Sequence, residues 1–90
     1  MNFEKLKYDI KEMIIEECEK EDITPDDIKD DVMLFSDESN LELDSLDALQ
    51  ISMGLLNKYN VRLGDSKDFR RNVTTIEKLA EYIQKENDKN

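Results

Sequence analysis

With 90 residues, 23 acids against 13 bases, no histidine and one cysteine, the chain has the size of one small domain, expected to span residues 1–90, and few means of catalysis. It has no Ser–His or Cys–His pair, no histidine metal site and no intrachain disulfide, so an enzyme is not expected. Without a signal sequence or an apolar run of membrane-spanning length, it reads as a cytoplasmic protein with no membrane insertion.

Phe3, Leu6, Ile10, Met13, Ile14 and Cys18 recur at three- and four-residue steps, which predicts a helix from Asn2 to Lys20 with one apolar face and Asn2 as N-cap. Cys18, within this helical pattern, reads as a small buried or half-buried apolar residue rather than a reactive thiol, because Glu17 and Glu19 oppose a thiolate. Thr24-Pro25-Asp26-Asp27 then combines an N-cap residue, a proline suited to the first helical position and acids suited to the first turn. The apolar pattern fades after Ile28, so this predicts a short turn followed by a long loop from Lys29 to Leu43. Val32, Leu34, Phe35 and Leu41 are its expected anchors. Loops of this length in a small domain tend to be functional. A calcium loop over Asp26–Glu38 is disfavoured, because the spacing lacks the alternating acids and central glycine that calcium coordination needs.

The acidity is local. Between Glu21 and Asp47 stand eleven acids and one base, Lys29, while the other residues balance. Such a segment repels nucleic acid and anionic lipid. It is either a solvated loop or a docking surface for basic partners.

A middle helix follows, with Asp44 as N-cap and Asp47 as an imperfect capping-box partner. Ile51, Leu55 and Tyr59 form a core stripe. Leu46, Leu49, Met53 and Leu56 form a second stripe, of which Leu46, Leu49 and Met53 are suited equally to core and to partner contact. Gly54 in mid-helix suggests close approach of a neighbouring helix. Val61 to Asn72 is irregular and basic, with a helical turn around Ser66–Arg70. Its five nearby bases, Lys58, Arg62, Lys67, Arg70 and Arg71, lack interleaved aromatics, which makes a poor nucleic-acid signal. The last helix opens on Thr74 as N-cap with Glu77 at the third position, buries Ile76, Leu79, Ala80 and Ile83, and frays by Glu86. Three main helices, a long acidic loop and no strand predict a small all-α bundle.

Ser45 falls at the first position of the middle helix, where a side chain projects outward and an anion is tolerated, although Asp44 and Asp47 oppose it. It is either an ordinary polar residue near a helix start or an exposed serine modified by another enzyme. The surrounding pattern is more specific than the serine: a long acidic loop, then LxLDSLDxLxxxxxLxxxY from Leu41 to Tyr59, a turn, and TTxxxLxxYI from Thr74 to Ile83. From Leu6 to Ile83 the chain resembles acyl carrier proteins, the phosphopantetheine-binding domains of fatty-acid and polyketide synthesis.

The resemblance implies a four-helix bundle, three long helices plus one short helix near Ser66–Arg70. It implies 4′-phosphopantetheine on Ser45, with Asp44 and Leu46 beside the attachment point. Thioester-linked acyl chains would shelter in a core lined by Ile51, Leu55, Phe35 and Ile76. Partners implied are a phosphopantetheinyl transferase and acyl-transfer and synthase enzymes, docking a monomeric carrier through Asp37, Glu38, Asp44, Leu46, Asp47 and Met53. The chain departs from the family at Glu42, where many members have glycine, and at Gln50 and Leu56-Asn57-Lys58, where fatty-acid carriers typically have glutamates. A specialised pathway therefore fits at least as well as fatty-acid synthesis. The alternative is an acidic adaptor or inhibitor that binds a basic partner without a cofactor.

Overall fold

A computed structural model describes residues 2–39, 41–63 and 66–88, apart from the side chains of Ser66 and Asp68. It contains four helices: α1 (Phe3–Glu17), α2 (Ser45–Tyr59), α3 (Ser66–Asn72) and α4 (Ile76–Asp88), with no strand among the described residues. Among the described residues, no helix is long and apolar enough to cross a membrane.

In α1 the Asn2 Oδ1 accepts from the Glu4 N–H at 2.9 Å, which makes Asn2 the N-cap. The helix stops three residues short of the expected Lys20. Glu19 adopts a left-handed conformation, φ 53°, and the Lys20 N–H turns back to the Ile15 carbonyl at 2.9 Å. Such a left-handed residue closes the last turn and satisfies carbonyls that would otherwise be orphaned. Asn60 ends α2 in the same way, with φ 55°. The last helix begins later than expected. Thr75, not Thr74, is its cap: the Lys78 N–H reaches Thr75 Oγ1 at 3.1 Å and the Leu79 N–H reaches the Thr75 carbonyl at 3.0 Å. Thr74 is engaged elsewhere, its carbonyl accepting from the Leu34 N–H at 2.8 Å. The helix also runs on to Asp88, past the expected end at Glu86.

The core is a single apolar cluster. Leu6, Ile10, Met13 and Ile14 of α1 meet Ile51 and Leu55 of α2 and Ile76, Leu79, Ala80 and Ile83 of α4. Full burial of each leucine or isoleucine contributes roughly 1.5–3 kcal/mol. Gly54 lets α1 and α2 approach. A Cβ added there would lie 2.5 Å from Met13 Sδ and 3.0 Å from Glu17 Cγ.

The segment between α1 and α2 is more ordered than a structureless loop. Pro25–Asp27 forms the expected short turn as one turn of 3₁₀ helix. Asp27 Oδ2 accepts from the Thr24 N–H at 3.0 Å and from its hydroxyl at 3.2 Å. A second 3₁₀ turn, Asp37–Ser39, was not expected. It is organised by Ser39 Oγ, which lies 2.8 Å from the Leu34 carbonyl and 2.9 Å from that of Ser36, and accepts from the Leu41 N–H at 3.2 Å. Leu34 and Leu41 are buried anchors as expected, and Val32 is half-buried. Phe35 is not an anchor in the core. It is 40% exposed and packs edge-to-face on Phe69 of α3, ring centroids 5.6 Å apart.

Two contacts tie this segment to the bundle. The Asp30 carbonyl accepts from the Glu77 N–H, one of the free donors at the start of α4, at 3.1 Å. The Asp30 carboxylate faces α1, with Oδ2 2.9 Å from Lys7 Nζ and Oδ1 2.6 Å from Lys11 Nζ.

Candidate functional site

Asp44 and Asp47 shape the start of α2. The Asp47 N–H donates to Asp44 Oδ1 at 3.0 Å, and the Asp44 N–H donates to Asp47 Oδ2 at 3.1 Å. The reciprocal pair is a complete capping box, although aspartate is one methylene shorter than the usual glutamate. It fixes the direction in which the chain enters the helix, and Ser45, the first helical residue, is exposed beside it.

Ser45 opens onto a groove of about 860 Å³. One wall is α2, contributing Ser45, Ala48, Leu49 and Ser52. These positions follow the i, i+3, i+4, i+7 rule for one helix face. The preceding segment supplies Met33, Phe35, Leu43 and Asp44, and the far wall comes from Leu63, Phe69, Arg70, Val73 and Thr74. The Phe35–Phe69 pair joins the loop to α3 at this groove. Edge-to-face pairs of this kind contribute about 0.5–1.5 kcal/mol beyond their burial.

Of the residues expected at the attachment point, the docking surface or the acyl shelter, the groove brings together Ser45, Asp44 and Phe35, and it adds Leu49 of the second stripe. Leu46 and Met53 lie outside the groove on α2 as open apolar surface, 72% and 49% exposed, with Leu56, whereas the equally open Leu49 lines the groove. The second stripe is thus surface, while Ile51 and Leu55 are fully buried. Asp37 and Glu38 are exposed on the second 3₁₀ turn, and Glu38 lines a smaller hollow with Val32 and Leu34. Ile51, Leu55 and Ile76, expected to line an acyl shelter, are sealed in the core. The accessible apolar space lies instead in the groove.

Sequence reasoning missed Met33, Leu43, Ala48, Ser52, Leu63, Phe69, Arg70, Val73 and Thr74 as lining residues. Spacing from Ser45 could have found Ala48 and Ser52. The α3 residues carry no such signal, because their place depends on how α3 packs.

Cys18 lies beneath this end of α2, its thiol donating to the Asp47 carbonyl at 3.9 Å. Burial, with the Asp47 charge and this contact behind it, pushes the thiol up to about 12, and the thiol form persists at neutral pH. Among the described residues, no three acidic or sulfur side chains converge as a metal ion would require.

No family model matches the sequence. The chain is similar to the acyl carrier protein of Wolinella succinogenes, 28% identical over 76 residues that cover 84% of this chain and 90% of that protein.

Proposed function

We propose that the chain is an acyl carrier protein that bears 4′-phosphopantetheine on Ser45. The observation that carries this reading is an exposed serine without a base, placed by a capping box at the mouth of a largely apolar groove. Similarity to a named acyl carrier protein over most of the chain supports it. In the attachment step Ser45 Oγ attacks the phosphorus of coenzyme A that bears pantetheine. The new ester bond forms as the pyrophosphate bond breaks, adenosine 3′,5′-bisphosphate departs, and the hydroxyl proton passes to a base of the transferase.

The residues present fit the group. Asp44 fixes the direction of the helix start, Leu46 offers apolar contact to the transferase, and Leu43, Leu49 and Phe35 offer the arm and its cargo a surface away from water. When bound, the group supplies a terminal thiol that holds acyl chains as thioesters. The protein itself presents and shelters the chain and catalyses nothing, as a cytoplasmic monomer in a single domain.

Acyl-transfer and synthase enzymes are its partners, docking on Asp37, Glu38, Asp44, Leu46, Asp47 and Met53. Gln50 and Leu56-Asn57-Lys58 stand on α2 where fatty-acid carriers typically have glutamates, so a dedicated specialised pathway fits at least as well as general fatty-acid synthesis, and the open face of α2 at Leu46, Leu49, Met53 and Leu56 is apolar. The same exposed stripe supports the second reading, an acidic adaptor without a cofactor.

Intact mass spectrometry separates the two, using wild type and Ser45→Ala incubated with coenzyme A, Mg²⁺ and a promiscuous phosphopantetheinyl transferase. Gain of one phosphopantetheine by the wild type only is expected. Loading of Ser45→Ala, or no loading of a folded wild type, sinks the carrier reading.

A further inference from the structure

A phosphodiester on Ser45 would stand next to Asp44 and Asp47, inside the segment that holds the whole of the protein's excess negative charge. Like charges this close lie within a Debye length of one another and repel even where water reaches them. A counter-charge nearby would offset that repulsion. Among the described residues that line the groove with Ser45, Arg70 is the only base.

We infer that Arg70 is the phosphate-positioning residue of this carrier: its guanidinium receives the phosphodiester attached to Ser45 and holds the arm along the groove. The inference rests on the carrier reading above. Three observations converge on it. Arg70 is exposed and lines the same cavity as Ser45. Its neighbour Phe69 is held edge-to-face against Phe35, which fixes α3, on the wall facing α2, to the loop that leads to Ser45. No ion pair between Arg70 and a described carboxylate competes for the guanidinium, whereas Lys5, Lys7, Lys11 and Lys58 are each paired. Arginine suits the task, because its planar fork can give two parallel hydrogen bonds to two phosphate oxygens, which lysine cannot.

The test uses the full chain as wild type, Arg70→Gln, Arg70→Lys and the control Lys67→Gln, which alters a base on α3 outside the groove lining. Each is compared before and after loading with pantetheine, with the mass confirming conversion. Expected in the wild type is a shift and slowed water exchange of the Arg70 Nε–H signal on loading. The ³¹P signal of the loaded protein moves in Arg70→Gln and stays in Lys67→Gln. Loading lowers the melting temperature of Arg70→Gln by about 4 °C or more relative to its effect on wild type, with Arg70→Lys in between.

A loaded wild type with unmoved Arg70 signals, and a ³¹P signal indifferent to Arg70→Gln, overturns the inference and leaves the carrier reading intact. Failure of the wild type to load removes both. An Arg70 signal that moves only when a malonyl group is added would assign the arginine to a carboxylate on the cargo and overturn the phosphate role.

Discussion

Lys7 and Asp30, 23 residues apart, meet at 2.9 Å and join α1 to the segment that leads into α2. The Lys7 side chain is only 10% exposed, and Lys11 closes on the other carboxylate oxygen. Asp30 also caps the start of α4 through its carbonyl, so one residue fixes three elements.

Acid should loosen this joint. Partial burial pushes the Asp30 carboxyl up, but Lys11 and Lys7 outweigh it and hold it below its usual 3.8. A carboxylate depressed in the folded state contributes stability that is complete above its unfolded value and lost as pH falls through the folded one. Asp30→Asn is expected to lower the melting temperature by roughly 4–8 °C near neutrality. Its gap to wild type should narrow below about pH 4. Thermal unfolding followed by circular dichroism across pH measures this, and a gap that does not change with pH would refute the assignment.

Glu42 is strained where it stands. Its φ of 52° is left-handed, a conformation that costs an L-residue roughly 1–2 kcal/mol and costs glycine little. Glycine also loses more backbone freedom on folding, about 0.5–1 kcal/mol, so the two effects partly cancel. Glu42→Gly is expected to stabilise by about 0.5–1 kcal/mol, read as a higher urea midpoint at unchanged slope. Glu42→Ala keeps the strain and should not stabilise comparably.

Cys18 should be slow to alkylate. With its thiol pushed up to about 12, iodoacetamide at mildly alkaline pH should label the native protein at least tenfold more slowly than the urea-unfolded one. Equal rates in the two states would show that the contact with the Asp47 carbonyl does not persist.

Much of this was legible in the sequence. The three long helices followed from apolar spacing, and Asn2, Thr24 and Asp44 from their capping chemistry. The Ser45 position followed from the Asp44–Asp47 pair. What was missed depends on tertiary contact. The early end of α1 turns on Glu19 adopting a left-handed conformation, for which glycine or asparagine is the usual signal. Thr74 and Thr75 are equivalent as caps until the Leu34 N–H takes the Thr74 carbonyl. Phe35 reads as a core residue on hydrophobicity alone. Its partner Phe69 lies in a segment without a clear period, so their pairing, and the groove it helps close, was not visible.

The same division of surfaces has a kinetic consequence. The negative charge lies mostly ahead of α2, while the open face of α2 itself is apolar. For a basic partner that binds both, capture and residence would respond to different conditions. Added salt would slow the encounter by screening the long-range attraction, and would leave the lifetime of an apolar contact largely unchanged.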